Sequence, residues 1–453
     1  MNKQRHASMW LGSASALAAS LLLACGPSAG SPAAGDTIAA PSSSPLPSIE
    51  GPPVVAAPAE GGAAVLDGGV PSTGDGSALP EVDGSAEAEG GDAGSGSRSG
   101  SGSGSKYDGG TAGLAIHVSG NHLVDSENAP LVLRGADLSG TETACAQNYT
   151  NDPYGGTPLA SVSTFAAMRT WNINVLRLPL NEDCWLDING VQVGGAPYVA
   201  AIEAEVSAAH AAGLFVILDL HWTAPGSQRA LAQNPEPDAD HSPAFWTSVA
   251  STFASDPAVI FDLFNEPYDY WGTDPDPWNG WLNGDVQTQI VTGGTPYKLT
   301  SSWKTAGMQQ LLTAVRAAGA TQPVLVNGLD WANDDSGWLT HTPSDPLGQI
   351  IAGAHIYPGE SCDTASCWAG VFPAIGAKYP ILIGETGDSA PGPAVFLPTF
   401  LGYADTQGWS YLAWTWNPWQ DANDVIVADW TGTPTAGEGA AWKSHLLGFP
   451  FQN

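Results

Sequence analysis

The sequence predicts an α/β protein, a (β/α)8 TIM barrel preceded by a disordered linker. Two observations predict it. Eight short apolar runs alternate with segments of helical periodicity over residues 112–453. Polar and aromatic residues gather at the C-terminal ends of those runs, where a barrel of this type places its working groups.

The chain opens with an export signal. Lys3 and Arg5 give a positive start, and Leu17 to Ala24 form a short apolar core interrupted by Ser20, the pattern of a signal peptide rather than a membrane span. The run Leu22-Leu23-Ala24-Cys25-Gly26 resembles the bacterial lipobox, so residues 1–25 are expected to be a lipoprotein-type leader, with Cys25 lipid-modified and first in the mature chain. Gly26 rather than Asp beside it points to an outer membrane. The expected localisation is exported and lipid-anchored at the cell surface or outer membrane, with plain secretion as the alternative.

Residues 26–111 read as a disordered linker. Gly, Ser, Ala and Pro dominate, and the segment holds 11 acidic and 2 basic residues. With few large apolar side chains, nothing offsets chain entropy there.

The catalytic-domain reading, 112–453, begins with a hairpin: Leu114 to Val118, a Ser119-Gly120-Asn121 turn, and His122 to Val124. The eight strands then follow at Val132–Gly135, Val175–Pro179, Phe215–Leu220, Val259–Phe264, Val324–Asn327, Ile350–His355, Ile381–Gly384 and Tyr411–Trp416. Most are continuous apolar runs, as strands buried on both faces require. Between them, Phe165/Met168/Trp171, Ile202/Val206/Ala209 and Met308/Leu311/Leu312/Val315 mark helical faces. Ser242-Pro243 reads as a cap and first-turn proline before Phe245, Val249 and Phe253. An open doubly wound sheet is the alternative fold, but no Gly-rich phosphate loop follows the first strand.

Five cysteines are present. With Cys25 lipidated, an even number remains in an exported protein, which points to disulfides. Cys362 and Cys367 are close enough for a small clasp, and Cys145 and Cys184 pair by elimination. No Cys/His spacing suggests zinc, and His221 with His355 lacks a third ligand. The reading calls for no metal and no cofactor. A net charge of −32 disfavours nucleic acid and anionic membranes as partners. Membrane contact is expected through the lipid alone, and the domain as a monomer.

The strand ends carry the chemistry. Arg177 closes the second strand, Asp219-Leu220-His221-Trp222 the third, Asn265-Glu266-Pro267 follows the fourth, His355-Ile356-Tyr357 the sixth, Gly384-Glu385-Thr386 the seventh, and Trp414-Thr415-Trp416 the eighth. Glu266 and Glu385 should face one another across the barrel mouth. Two carboxylates flanking a bond suit glycoside hydrolysis, and the retaining version needs them roughly 5 to 5.5 Å apart. One must hold a proton near neutral pH; the other must stay ionised, which a cation such as Arg177 favours. The residues alone do not say which is which.

Asn265-Glu266-Pro267 after an apolar strand, with Gly384-Glu385 over a hundred residues later, resembles glycoside hydrolase family 5. The resemblance covers about residues 114–453 and implies a retaining β-glycosidase with Glu266 as acid/base and Glu385 as nucleophile. It implies that Arg177 and Tyr357 position the nucleophile, that His221, Asn265 and His355 bind the sugar, and that Trp416 is its stacking platform. The strand-eight run is similar to that of the family's bacterial cellulases. Thr386, where the family often has an aromatic residue, departs from the pattern and concerns local packing. The Trp-rich stretch from Tyr268 to Thr300 is expected to be a long loop shaping one end of the cleft.

The chain contains 18 Trp; Trp222, Trp271, Trp278, Trp331 and Trp419 fall in predicted loops on the active face, where flat rings match sugar faces. The expected function is endo-cleavage of β-1,4-glucan, a polysaccharide or oligosaccharide substrate. Mannan, xylan, β-1,3-glucan and short β-glycosides remain alternatives. Transglycosylation uses the same residues, and a sugar-binding protein without catalysis would keep the Trp but lose a carboxylate.

Overall fold

A computed structural model of the chain describes residues 113–147, 162–269, 275–292, 298–388, 393–419 and 425–453. Cys25, the leader, the whole of the expected linker and Trp271 lie outside them. No helix among the described residues is long and apolar enough to cross a membrane.

The first three strands, β1 (His117–Ser119), β2 (His122–Val124) and β3 (Pro130–Leu131), form a small antiparallel sheet. Eight parallel strands close a barrel: β4 (Arg134–Asp137), β5 (Val175–Asn181), β6 (Phe215–Trp222), β7 (Val259–Asp262), β10 (Val324–Asn327), β11 (Ile350–Ile356), β12 (Ile381–Thr386) and β13 (Ser410–Ala413). β4 also pairs with β13, which completes the ring. Between β7 and β10 the chain inserts a separate antiparallel hairpin of β8 (Gly284–Thr292) and β9 (Lys298–Ala306).

Each barrel strand overlaps the apolar run that predicts it: β4 lies two residues later, β5, β6 and β12 run two residues further, β7 ends two residues earlier and β13 ends three residues earlier. The helices Val162–Arg169, Ala196–Ala211, Ser242–Phe253 and Met308–Ala317 carry the expected apolar faces inward. Ser242, read as a helix cap, lies inside its helix. Its hydroxyl donates to Glu182 Oε2 at 2.6 Å. The stretch expected as a long loop after β7 instead contains the helix Pro277–Asn283 and the β8–β9 hairpin.

Two cores result. The outer one, between barrel and helices, holds Trp246, Trp281, Trp338, Trp416 and Trp442. The inner one fills the lower barrel with Val175, Phe215, Ile217, Ile260, Leu325, Ile351, Leu382 and Leu412. The N-terminal sheet packs into it through Leu114, Ile116, Leu123 and Leu131 and is tied on by Ile116 N donating to Pro257 O at 2.9 Å. Above the apolar floor, alternation along each strand brings Asp137, Arg177, Asp219, Asp262 and His355 inward. Gly384 leaves the room they need: a Cβ there would stand 2.8 Å from His355 Nε2.

Candidate active site

Arg177 is the organising group, fully buried at the centre of four carboxylates. Its Nη1 reaches Asp137 at 2.9 Å and Glu385 at 2.8 Å, its Nη2 reaches Asp219 at 3.1 Å, and its Nε and Nη2 both reach Asp262 Oδ2 at 3.0 Å. Nη2 also donates to Asn265 Oδ1 at 2.8 Å, which fixes the orientation of that amide. A single cation cannot balance four carboxylates in a dry site, so protons are retained. Burial pushes the Asp137 and Asp262 carboxyls well above the usual range, and raises Asp219 to about 7.

The two glutamates are held differently. Glu385, at the end of β12, accepts from Arg177 on Oε1 and from Tyr357 Oη on Oε2 at 3.1 Å. Glu266 accepts on Oε2 from Gln233 Nε2 at 2.8 Å, while Oε1 lies 2.9 Å from His355 Nδ1. Burial raises the Glu266 carboxyl against the opposing pull of Gln233, His221 and Arg177. Burial holds His355 neutral by lowering it to about 3. His221 is also lowered by burial, and its Nδ1 sits 2.6 Å from Asp219 Oδ2. Oxygens of Glu266 and Glu385 lie within 4.8 Å of each other and of a His355 nitrogen.

The structure therefore brings Arg177, His221, Asn265, Glu266, His355, Tyr357 and Glu385 to one mouth. It does not bring Trp416 there. β13 ends at Ala413, the Trp414–Thr415 peptide is cis, and Trp416 turns into the outer core, fully buried and edge-on to Trp171 at 4.8 Å. Trp414 takes the position expected of Trp416: its ring lies parallel to that of His221, at 5.7 Å and 9°. Thr386 is packed inside, its hydroxyl bonded to Ile356 O at 2.6 Å.

Asp219 and Asp262 stand in the predicted third and fourth strand runs without a part being assigned to either, and Asp137 and Gln233 are not singled out by the sequence. Strand alternation from Arg177 and His221 marks the three aspartates. Gln233 sits in the 223–241 loop, where no periodicity points to it.

Around the mouth, Trp331 stacks on Tyr268 at 4.2 Å and 13°. It is carried by three consecutive left-handed residues, Asp330, Trp331 and Ala332 (φ 56°, 58° and 59°). Such a run costs about 1–2 kcal/mol per residue, so the surroundings must impose it. Trp331 N donates to Pro267 O at 3.1 Å, which fastens the platform beside Glu266. Trp419 is exposed, Trp222 is half-buried against Ala224, Ala230 and Trp303, and Trp278 packs on Trp281 and His341. Both expected disulfides form, Cys145–Cys184 and Cys362–Cys367, with Cα separations of 5.9 and 5.4 Å. Two side-chain groups among the described residues have the spacing to hold a cation: Glu266–His355–Glu385, and Glu182–Asp238–His241.

The family model for cellulase, glycosyl hydrolase family 5, matches residues 124–420. The chain belongs to glycosyl hydrolase family 5. The endoglucanase MaCel5A of Microbulbifer sp. is 27% identical over 34% of this chain and 26% of its own length. Curated endoglucanases are matched over 26, 53 and 59% of their lengths, so the chain spans well under two thirds of them. The fold is shared with the β-glucanase SdGluc5_26A of Saccharophagus degradans in complex with cellotetraose (22% identity, 74% of this chain, 93% of that one, TM-score 0.55). It is shared too with a β-mannanase from Streptomyces thermolilacinus (21% identity, 75% and 98%, TM-score 0.52).

Proposed function

We propose that this family 5 member cuts internal β-1,4 bonds of a glucan with retention of configuration, Glu385 acting as nucleophile and Glu266 as acid/base. One observation carries the reading: two carboxylates with oxygens within 4.8 Å, one clamped by Arg177 and Tyr357, the other buried and biased toward its protonated form. That separation suits direct attack and is too short for an intervening water. In the first step a Glu385 oxygen bonds to the anomeric carbon while Glu266 gives its proton to the departing glycosidic oxygen. In the second, Glu266 takes a proton from water, whose oxygen replaces Glu385 at that carbon.

Glucan is favoured because most of the relatives matched by sequence are endoglucanases, beside one mannan endo-1,4-β-mannosidase, and the similar β-glucanase was solved with cellotetraose. Trp414 supplies a platform at the cleavage point and Trp331 one beside the acid/base, which supports binding on both sides of the bond. Glu385→Ala with azide should give an α-glycosyl azide. Glu266→Ala should spare substrates with good leaving groups and give a β-glycosyl azide. An inverted first product from the wild type overturns the mechanism. Cleavage of mannan with soluble β-1,4-glucan untouched overturns the substrate. The lipid anchor on Cys25 is likewise a proposal from the leader sequence; membrane fractionation unchanged by Cys25→Ala would refute it.

A further inference from the structure

A second cluster of ligand-type side chains lies outside the catalytic mouth. Glu182 starts the short helix after β5, and Asp238 and His241 close the loop between β6 and the helix Ser242–Phe253. Both carboxylates are fully buried and His241 is partly open to solvent. Ligand atoms of all three lie within 4.8 Å of one another. His241 Nδ1 stands 3.7 Å from Glu182 Oε1 and 3.6 Å from Asp238 Oδ1, and donates to the Ala224 carbonyl oxygen at 3.2 Å a proton that a bound cation would displace. The two carboxylate distances are too long for hydrogen bonds. They approach the edge of a coordination polyhedron with bonds near 2.1 Å, about 3.0 to 3.5 Å.

Other donors are already committed. Asp240 N and His241 N donate to Asp238 Oδ1, and Ser242 Oγ donates to Glu182 Oε2.

A second observation points into the same place. Asp238 and Thr305 form an antiparallel bridge, flanked by Ala239 N to Lys304 O at 3.0 Å and Ala306 N to Pro237 O at 2.8 Å. That pattern is the non-hydrogen-bonded pair, in which facing side chains share a side and approach most closely. Thr305 is 1% exposed and its hydroxyl has no hydrogen-bond partner.

We propose that Glu182, Asp238 and His241, with the Ala224 carbonyl and the Thr305 hydroxyl beside them, bind a first-row divalent transition cation. A mixed imidazole and carboxylate set selects such an ion over Ca2+ or Mg2+, and the open edge of His241 gives it an entry path. The bound ion ties the end of β5 to the loop that carries Gln233, the residue bonded to Glu266. The ligands come from scattered positions between 182 and 305, so no sequence spacing announces them. The proposal is independent of the catalytic reading.

The test uses the full-length protein stripped with EDTA, with melting temperature and metal content as readouts. At a hundredfold excess over Kd, Mn2+ or Zn2+ should raise Tm by about 5 °C with one ion bound per chain, and Ca2+ and Mg2+ should not. His241→Ala should fold and lose most of that rise, and Glu182→Gln should lose all of it. The proposal is overturned if no cation shifts Tm and Glu182→Gln is as stable as the wild type, which marks a carboxylate pair sharing a proton. A rise that persists in His241→Ala also overturns it, since the ion then sits elsewhere, the Glu266–His355–Glu385 group included. So does a response to Ca2+ alone.

Discussion

Replacing Trp416 and Trp414 separately by alanine tests which ring serves the cleft. Trp416 is fully buried, edge-on to Trp171 at 4.8 Å, and its ring lies 3.2 Å from where a Cβ on Gly432 would stand. Truncating a Trp so enclosed costs about 3–5 kcal/mol, the lost transfer energy plus the cavity left behind. At roughly 2–4 °C per kcal/mol, with this larger domain toward the low end, Tm should fall by about 6 to 15 °C. Trp414 is buried as well, 7% exposed, with its ring parallel to that of His221, so its truncation should also lower Tm. A sugar stacked on what remains open of the ring contributes about 0.5–1.5 kcal/mol. Trp414→Ala should therefore lower kcat/KM roughly 2- to 13-fold, a loss that Trp416→Ala should not show. Differential scanning fluorimetry and reducing-sugar assays on soluble β-1,4-glucan give both readouts. Trp416→Ala that melts like the wild type but has lost its activity, beside an active Trp414→Ala, would refute the assignment.

Three further outcomes follow from the site. Gln233 donates to Glu266 Oε2 and so favours its ionised form; Gln233→Ala should raise the Glu266 pKa and move the alkaline limb of kcat/KM to higher pH, and an unmoved or acid-shifted limb would count against it. Burial raises Asp219 from 3.8 to about 7 and Asp183 to about 6. Between pH 4 and 7 the folded state therefore binds more protons than the unfolded chain. The stability these groups contribute is full below about pH 4 and is lost as pH rises through 6 and 7. The lowered His355 and His221 act in the opposite sense below about pH 6.5, so the comparison is with Asp219→Asn, which lacks the titration: the Tm of the wild type relative to that variant should fall from pH 5 to pH 8, and a rise in the difference would contradict the linkage. Free-thiol labelling of the folded mature domain should find none of Cys145, Cys184, Cys362 and Cys367, and reduction should lower Tm by an amount corresponding to about 2–4 kcal/mol for the Cys145–Cys184 loop.

The barrel was legible because its strands are buried on both faces, so each reads as an uninterrupted apolar run in any register. β4 was misplaced by two residues because Leu133, apolar and buried, belongs to the floor of the barrel beside the N-terminal sheet rather than to the strand. The β8–β9 hairpin escaped because a Trp-rich, polar stretch without regular alternation reads as loop. Glu266 and Glu385 were legible from motifs local in sequence. The ring that lies beside His221 was not: Trp414 and Trp416 share the parity of inward-facing Leu412, so alternation alone selects neither. The strand stops at Ala413, and beyond that point parity no longer predicts direction. Gln233 is brought to Glu266 only by the course of a loop.

The polar layer also explains how an acidic chain holds a guanidinium against Glu385 inside its barrel. Asp137, Asp219 and Asp262 come from β4, β6 and β7 and converge on the guanidinium that holds Glu385. If all four carboxylates were ionised, the site would carry three uncompensated charges in a nearly dry space, at a cost of several kcal/mol each. Protonation of the aspartates, driven by their burial, removes most of that charge and leaves their remaining oxygens as acceptors that pin Arg177 from three sides. The guanidinium then has one orientation, and in it Nη1 points at Glu385. Asp137→Asn should therefore be tolerated, since an amide oxygen can accept from Arg177 Nη1 as Oδ1 does, while Oδ2 has no partner to lose. Asp137→Ala should not, because Arg177 Nη1 loses an acceptor in a buried site. Comparing kcat at saturating substrate separates the two accounts of the layer: equal losses in Asn and Ala would mean that the negative charge itself matters, and a loss confined to Ala would mean that the carboxyl acts by holding the arginine in place.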